Sequence, residues 1–180
     1  EAGLAWLAAH QRADGAWDRL HFDRLCPPTD RCGGAAVAWP EADADIAITA
    51  LAALAFLGAG YTHQAGPYAD NVARAVGFLL AQQRRNGGGG FAPIPPAEPP
   101  AWDVPYTLRR GRFQLYNDAI ATLAVAECYG LTGDPALKGP LRSAVEHLLA
   151  AQQPDGGWDY TSTARRGRSD MSVTLSLIHI

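Results

Sequence analysis

The side chains able to do chemistry in this 180-residue chain are few and grouped. Cys26 and Cys32 flank a five-residue loop, Pro-Pro-Thr-Asp-Arg, with His21, Asp23 and Asp30 close by. Three readings stand for that loop. A disulfide would close it and would place the chain in an oxidising, extracytoplasmic compartment. A zinc site would want a second Cys or His pair, and only His21 is near. Two free thiols are the third. The remaining cysteine, Cys128, falls in an apolar run and reads as a small core residue. Acids recur more regularly: an Asp is followed four residues later by Thr at Asp45/Thr49, Asp118/Thr122 and Asp170/Thr174. Each Asp stands where a helical pattern opens, so three equivalent helix caps are expected, the carboxylate accepting free N–H groups and offsetting the helix dipole. Arg109-Arg-Gly-Arg112 and Arg165-Arg-Gly-Arg168 are two copies of one tetrapeptide, each shortly before one of those aspartates. Arginines beside helix N-termini suit an anion such as diphosphate, and suit equally a solvated loop pairing with local acids.

These groups must be positioned by helices. The chain holds 34 alanines, which suits helices packed backbone to backbone more than a β-sandwich. Its net charge of −3 excludes a molecule coated to bind nucleic acid. No apolar run reaches the ~18 residues that span a bilayer, and the stretch from Ile46 to Thr62 carries Gly58 and Gly60 and reads as a buried helix. Tyr68 to Gln83 puts Val72, Ala75, Val76, Leu79 and Leu80 on one face, and Leu137 to Gln152 does the same with Leu141, Val145, Leu148 and Leu149, the mark of helices with one side in water. Asp45 to Leu57 and Asp118 to Tyr129 are apolar nearly all round, so both sides are expected to be covered.

The order of these segments is a repeat. Gln11, Gln83 and Gln152 each follow an outer-type helix and are followed by Asp or Asn, Gly and an aromatic: Trp17, Phe91 and Trp158. This element alternates with the Asp–Thr pairs. Long Gly/Pro/Arg-rich loops, Asp18 to Glu41, Gly87 to Arg112 and Asp159 to Ser169, connect outer helices to inner ones. Trp39, Trp102 and Tyr106 on them, with Phe113 and Tyr116 just beyond the second, could wall an apolar cavity, and such a rim is where function is usually built.

The Gln-x-x-Asp-Gly-x-Trp element, clean at Gln11–Trp17 and Gln152–Trp158 and stretched at Gln83–Phe91, resembles that of the squalene cyclase and prenyltransferase repeat family. The resemblance implies an all-α fold, an α/α toroid of alternating inner and outer helices, of which about six are present here. It divides the chain into repeats 1–67, 68–136 and 137–174, and leaves Leu175–Ile180 as a truncated or foreign tail of a longer protein. It also implies that the Gln ties the end of an outer helix to a neighbouring inner helix. Squalene-type cyclases protonate an alkene from an Asp-x-Asp-Asp motif, which Asp43-Ala-Asp45-Ile46 matches at two of three acids. By that resemblance Asp45 is the candidate proton donor and Asp43 its hydrogen-bonding neighbour. A zinc-dependent prenyltransferase subunit needs Asp, Cys and His on one metal, and Cys128 and His147 show no ligand spacing; no metal and no cofactor are expected. With the third acid missing and Asp45 one of three equivalent positions, the expected function is a non-catalytic toroid repeat domain that binds an isoprenoid or other apolar ligand or a protein partner. A class II triterpene cyclase is the alternative.

Overall fold

A computed structural model of the chain describes residues 1–29, 31–32, 44–93, 113–162 and 169–179. Asp30, Trp39, Asp43, Trp102, Tyr106 and both arginine tetrapeptides lie outside the described residues. The described residues are all-α: α1 (Ala2–Ala9), α2 (Asp45–Gly58), α3 (Ala69–Arg85), α4 (Gln114–Thr132), α5 (Pro135–Ala150) and α6 (Met171–Leu177), with a short 3-10 turn at Phe22–Leu25.

Alternation along the chain becomes alternation in space. α4 lies between α2 and α6, while α1 and α3 pack on α2 and α5 packs on α4. The core shared by α2 and α4 is rich in the smallest side chains: Ala50, Ala53, Ala121 and Ala124 are fully buried, letting the two backbones approach, and Phe56, Val72, Leu79 and Val125 fill the space towards the outer helices. α3 buries Val72, Ala75, Val76 and Leu79, the stripe its sequence spacing predicts. α4 ends on Gly133 with φ +64°, a left-handed residue that only Gly adopts cheaply. Asp134 then caps α5 by accepting the Ala136 N–H, with Pro135 in the first helical position.

Two expectations change. α2 is not covered all round: Leu51 is 54% exposed, Ala55 is exposed, and Ile48 and Leu54 are half-buried. α1 buries none of its own residues. Leu4, Leu7 and Ala8 pack half-buried against the core, and a helix of eight residues is marginal by itself, so α1 leans also on what its flanking loop holds.

Candidate functional site

The three aspartates, equivalent in sequence, do three different things. Only Asp170 is a helix cap: its Oδ1 accepts the N–H groups of Ser172 and Val173. The Ser172 hydroxyl and those N–H groups hold its carboxyl below the usual range. Asp118 is not a cap, because α4 starts four residues earlier, at Gln114, and carries Asp118 into its second turn. There it is 1% exposed, and its Oδ1 accepts the N–H groups of Phe91 (2.6 Å) and Ala92 (2.8 Å) while Oδ2 meets His147 Nε2 at 3.1 Å. Asp45 is the first residue of α2, with Ala44 before it in the cap position. Its Oδ1 accepts the Arg19 N–H and its Oδ2 takes the Arg12 guanidinium, both at 3.3 Å.

For Asp118 the reason lies in the length of the preceding element. Trp17 donates its N–H to Thr49 Oγ1, and Trp158 donates to Thr174 Oγ1. Both indoles donate back to the carbonyl ten residues earlier, Leu7 and Leu148. The first and third elements are one local structure. The middle element is two residues longer between Gln83 and Phe91, and that extra length moves the Phe91 N–H from the threonine to Asp118. Thr122 then turns its hydroxyl to the Asp118 carbonyl.

The repeat glutamines also act differently from expectation. Gln11 Nε2 donates to the Gly15 and Asn71 carbonyls, and its Oε1 accepts from Asn71 and Arg74. Gln83 Nε2 donates to the Gly89 and Pro140 carbonyls. Asn71 and Pro140 belong to α3 and α5, so Gln11 and Gln83 tie their loops to those helices and not to α2 or α4. Gln152 reaches only Gly156, at 2.6 Å, and is exposed. The tie at Gln11 is close: a Cβ on Gly15 would stand 2.2 Å from the Arg74 carbonyl oxygen, and Gly15 holds φ +94°.

Asp45 and the charged groups around it line a surface cavity of about 510 Å³, shared with Arg12, Asp14, Arg74, Phe78 and Arg85. Arg12 bridges Asp14 (2.5 Å) and Asp45 (3.3 Å). An ion pair of this kind is made by the carboxylate form of Asp45. Asp43, its proposed neighbour, lies outside the described residues.

The cysteine loop has a partner that its sequence neighbourhood hides. His21 is held by Asp18, Nδ1 to Oδ2 at 3.2 Å, and takes no part. Burial works against the Asp18 charge, but the N–H groups of Leu20 and His21 and the His21 ring outweigh it and lower its pKa. His10, at the end of α1, comes to the thiols instead: its Nε2 lies 3.2 Å from Cys26 Sγ and 3.7 Å from Cys32 Sγ. The three ligand atoms all lie within 4.8 Å of one another. Cys26 and Cys32 are free thiols, so the disulfide reading is not what the structure holds. The Cys32 N–H donates to Cys26 Sγ, and Trp6 Nε1–H donates to Cys32 Sγ. Trp6 also stacks on His10 with ring centroids 3.9 Å apart. Sequence gave no spacing signal for His10, sixteen residues before Cys26; the trace it left is that a His occupies a position immediately before the repeat glutamine.

Cys128 makes a second contact that sequence did not predict. His63 Nδ1 lies 3.0 Å from its sulfur, and His63 Nε2 lies 2.8 Å from Asp134 Oδ2. The order nucleophile, imidazole, carboxylate is that of a catalytic triad. Cys128 is fully buried, however, and burial pushes its thiol up, away from the reactive thiolate. The arrangement pins the turn between α2 and α3 to the start of α5. His147, on α5, faces Asp118 and not Cys128. No protein-family model matches the chain, and no curated protein or solved structure matches it either.

Proposed function

We propose that this chain is a repeat domain of the squalene cyclase and prenyltransferase type that acts as a binding scaffold for an apolar, isoprenoid-like ligand rather than as a catalyst. The observation that carries the reading is the use made of the repeat aspartates. Asp118 serves two loop N–H groups and His147, Asp170 caps α6, and Asp45 is paired with Arg12. A proton donor to an alkene has to be a carboxylic acid whose proton faces an apolar chamber. The cavity beside Asp45 brings three arginines and a second aspartate to it, alongside Ile46, Phe78 and Ala81. The inner helices support the ligand class. Ile48, Leu51 and Ala55 on α2, and Tyr116, Ile120 and Leu123 on α4, recur three and four residues apart, and none of the six is fully buried.

The test is to incubate the protein with radiolabelled squalene and measure both retained label and cyclised product. Retention without product is expected, with at least about tenfold weaker retention in Leu51→Asp, because a charge is placed in an apolar contact. A cyclised triterpene that disappears in Asp45→Asn and persists in Asp118→Asn establishes the class II cyclase instead. Neither retention nor product defeats both readings.

A further inference from the structure

We infer that His10, Cys26 and Cys32 form a zinc site that fastens α1 to the loop carrying the cysteines. The inference is independent of the ligand-binding reading above. It rests on convergence. The neutral imidazole has one acceptor nitrogen, and one lone pair accepts one S–H. Here two sulfurs approach the same nitrogen, Cys26 Sγ at 3.2 Å and Cys32 Sγ at 3.7 Å. A metal ion between them would engage all three ligand atoms at once. With Zn–N near 2.0–2.1 Å and Zn–S near 2.3 Å, a tetrahedral centre sets nitrogen and sulfur ligands about 3.6 Å apart. The two measured separations lie on either side of that value.

The surroundings fit a metal–thiolate centre. His10 Nδ1 lies 2.7 Å from the Trp6 carbonyl oxygen, which fixes the tautomer with its proton on Nδ1 and leaves Nε2 free to ligate. Each sulfur receives one N–H donor, Cys26 from the Cys32 backbone and Cys32 from the Trp6 indole, as thiolate ligands do. His10 is 3% exposed and Cys26 9%, and Trp6 covers the imidazole face. On binding, each thiol releases one proton to solvent, His10 stays neutral, and a water molecule or another oxygen donor completes the fourth position.

The site also answers a structural need. α1 has no fully buried residue and packs on the core through the half-buried Leu4, Leu7 and Ala8, and side chains beyond its C-terminal end add to that hold. Gln11 and Trp17 provide two such ties, to α3 and back to Leu7. The metal provides a third, joining residue 10 to residues 26 and 32 across a span with little secondary structure of its own.

Cobalt(II) titration of the reduced, metal-stripped 180-residue chain tests the assignment. One equivalent of cobalt is expected to produce a thiolate-to-cobalt charge-transfer band in the near ultraviolet and the intense visible bands of a tetrahedral ion, both removed by one equivalent of zinc. About two protons should be released per metal. Cys26→Ser and Cys32→Ser should each lose the charge-transfer intensity, His10→Gln should weaken binding at least about tenfold, and Cys128→Ser should bind as the parent does. Should the cysteine variants fail to fold, as judged by far-ultraviolet circular dichroism, the parent spectrum and proton count decide alone. Absence of the charge-transfer band in the reduced parent overturns the proposal. So does dependence of that band on Cys128, or a Cys26–Cys32 disulfide in protein prepared without oxygen.

Discussion

Asp118 and Asp45 occupy the same repeat position, and the structure makes them unequal by an amount that can be measured. Asp118→Ala leaves the Phe91 and Ala92 N–H groups without an acceptor, and both residues are buried, at 0% and 2% exposure. An orphaned buried donor costs about 1–3 kcal/mol, so the pair costs about 2–6 kcal/mol. Against a total of about 5–15 kcal/mol that is a large share of the stability of a domain. Asp45→Ala removes a half-exposed ion pair with Arg12, worth about 1 kcal/mol or less, together with the acceptor of the half-buried Arg19 N–H. Asp118→Asn keeps one acceptor oxygen for both N–H groups and loses only the charge, about 1 kcal/mol. The assay is urea unfolding followed by helical circular dichroism, the midpoint moving at constant slope. Amide exchange at Phe91 and Ala92 should accelerate in Asp118→Ala and stay unchanged in Asp45→Ala. Equal midpoint shifts in the two alanine variants would refute the reasoning, because they would mean that the repeat position, not the local contacts, sets the cost.

Two glycines give opposite outcomes in the same unfolding assay. Gly15→Ala should destabilise by about 1–3 kcal/mol, since its Cβ meets the Arg74 backbone at 2.2 Å and its φ is +94°. Gly77→Ala, exposed on α3 with nothing within 4 Å, should stabilise by about 0.5–1 kcal/mol. The Asp134 carboxyl is held below its ordinary 3.8, first by the Ala136 N–H and then by the His63 side chain. A depressed folded-state value means stability that is complete above 3.8 and lost as pH falls through the lower folded value. The stability difference between the parent and Asp134→Ala should therefore shrink below pH 3.8, as urea midpoints along an acid series will show.

The all-α architecture and its alternation were legible in the chain because they follow from one-dimensional periodicity. A stripe such as Val72, Val76 and Leu79 can be buried only one way on a helix, and the alanine-rich segments around Ala50 and Ala121 can only be the close-packed ones. The Gln-to-Trp element was legible too, since the indole N–H and the carbonyl that it meets lie ten residues apart in both clean copies. What the repeat could not convey is which atoms face each other across it. Two extra residues before Phe91 change the partner of one N–H from a threonine to a carboxylate, and with it the role of Asp118. An early start of α4 turns the same residue from a cap into a buried acceptor. His10 is separated from the two cysteines by 16 and 22 residues and His63 from Cys128 by 65, and nothing local couples them. Local pattern decides which segments fold into helices and which face they bury. The meeting of polar side chains from distant segments is decided by loop lengths and packing, and that only the tertiary structure contains.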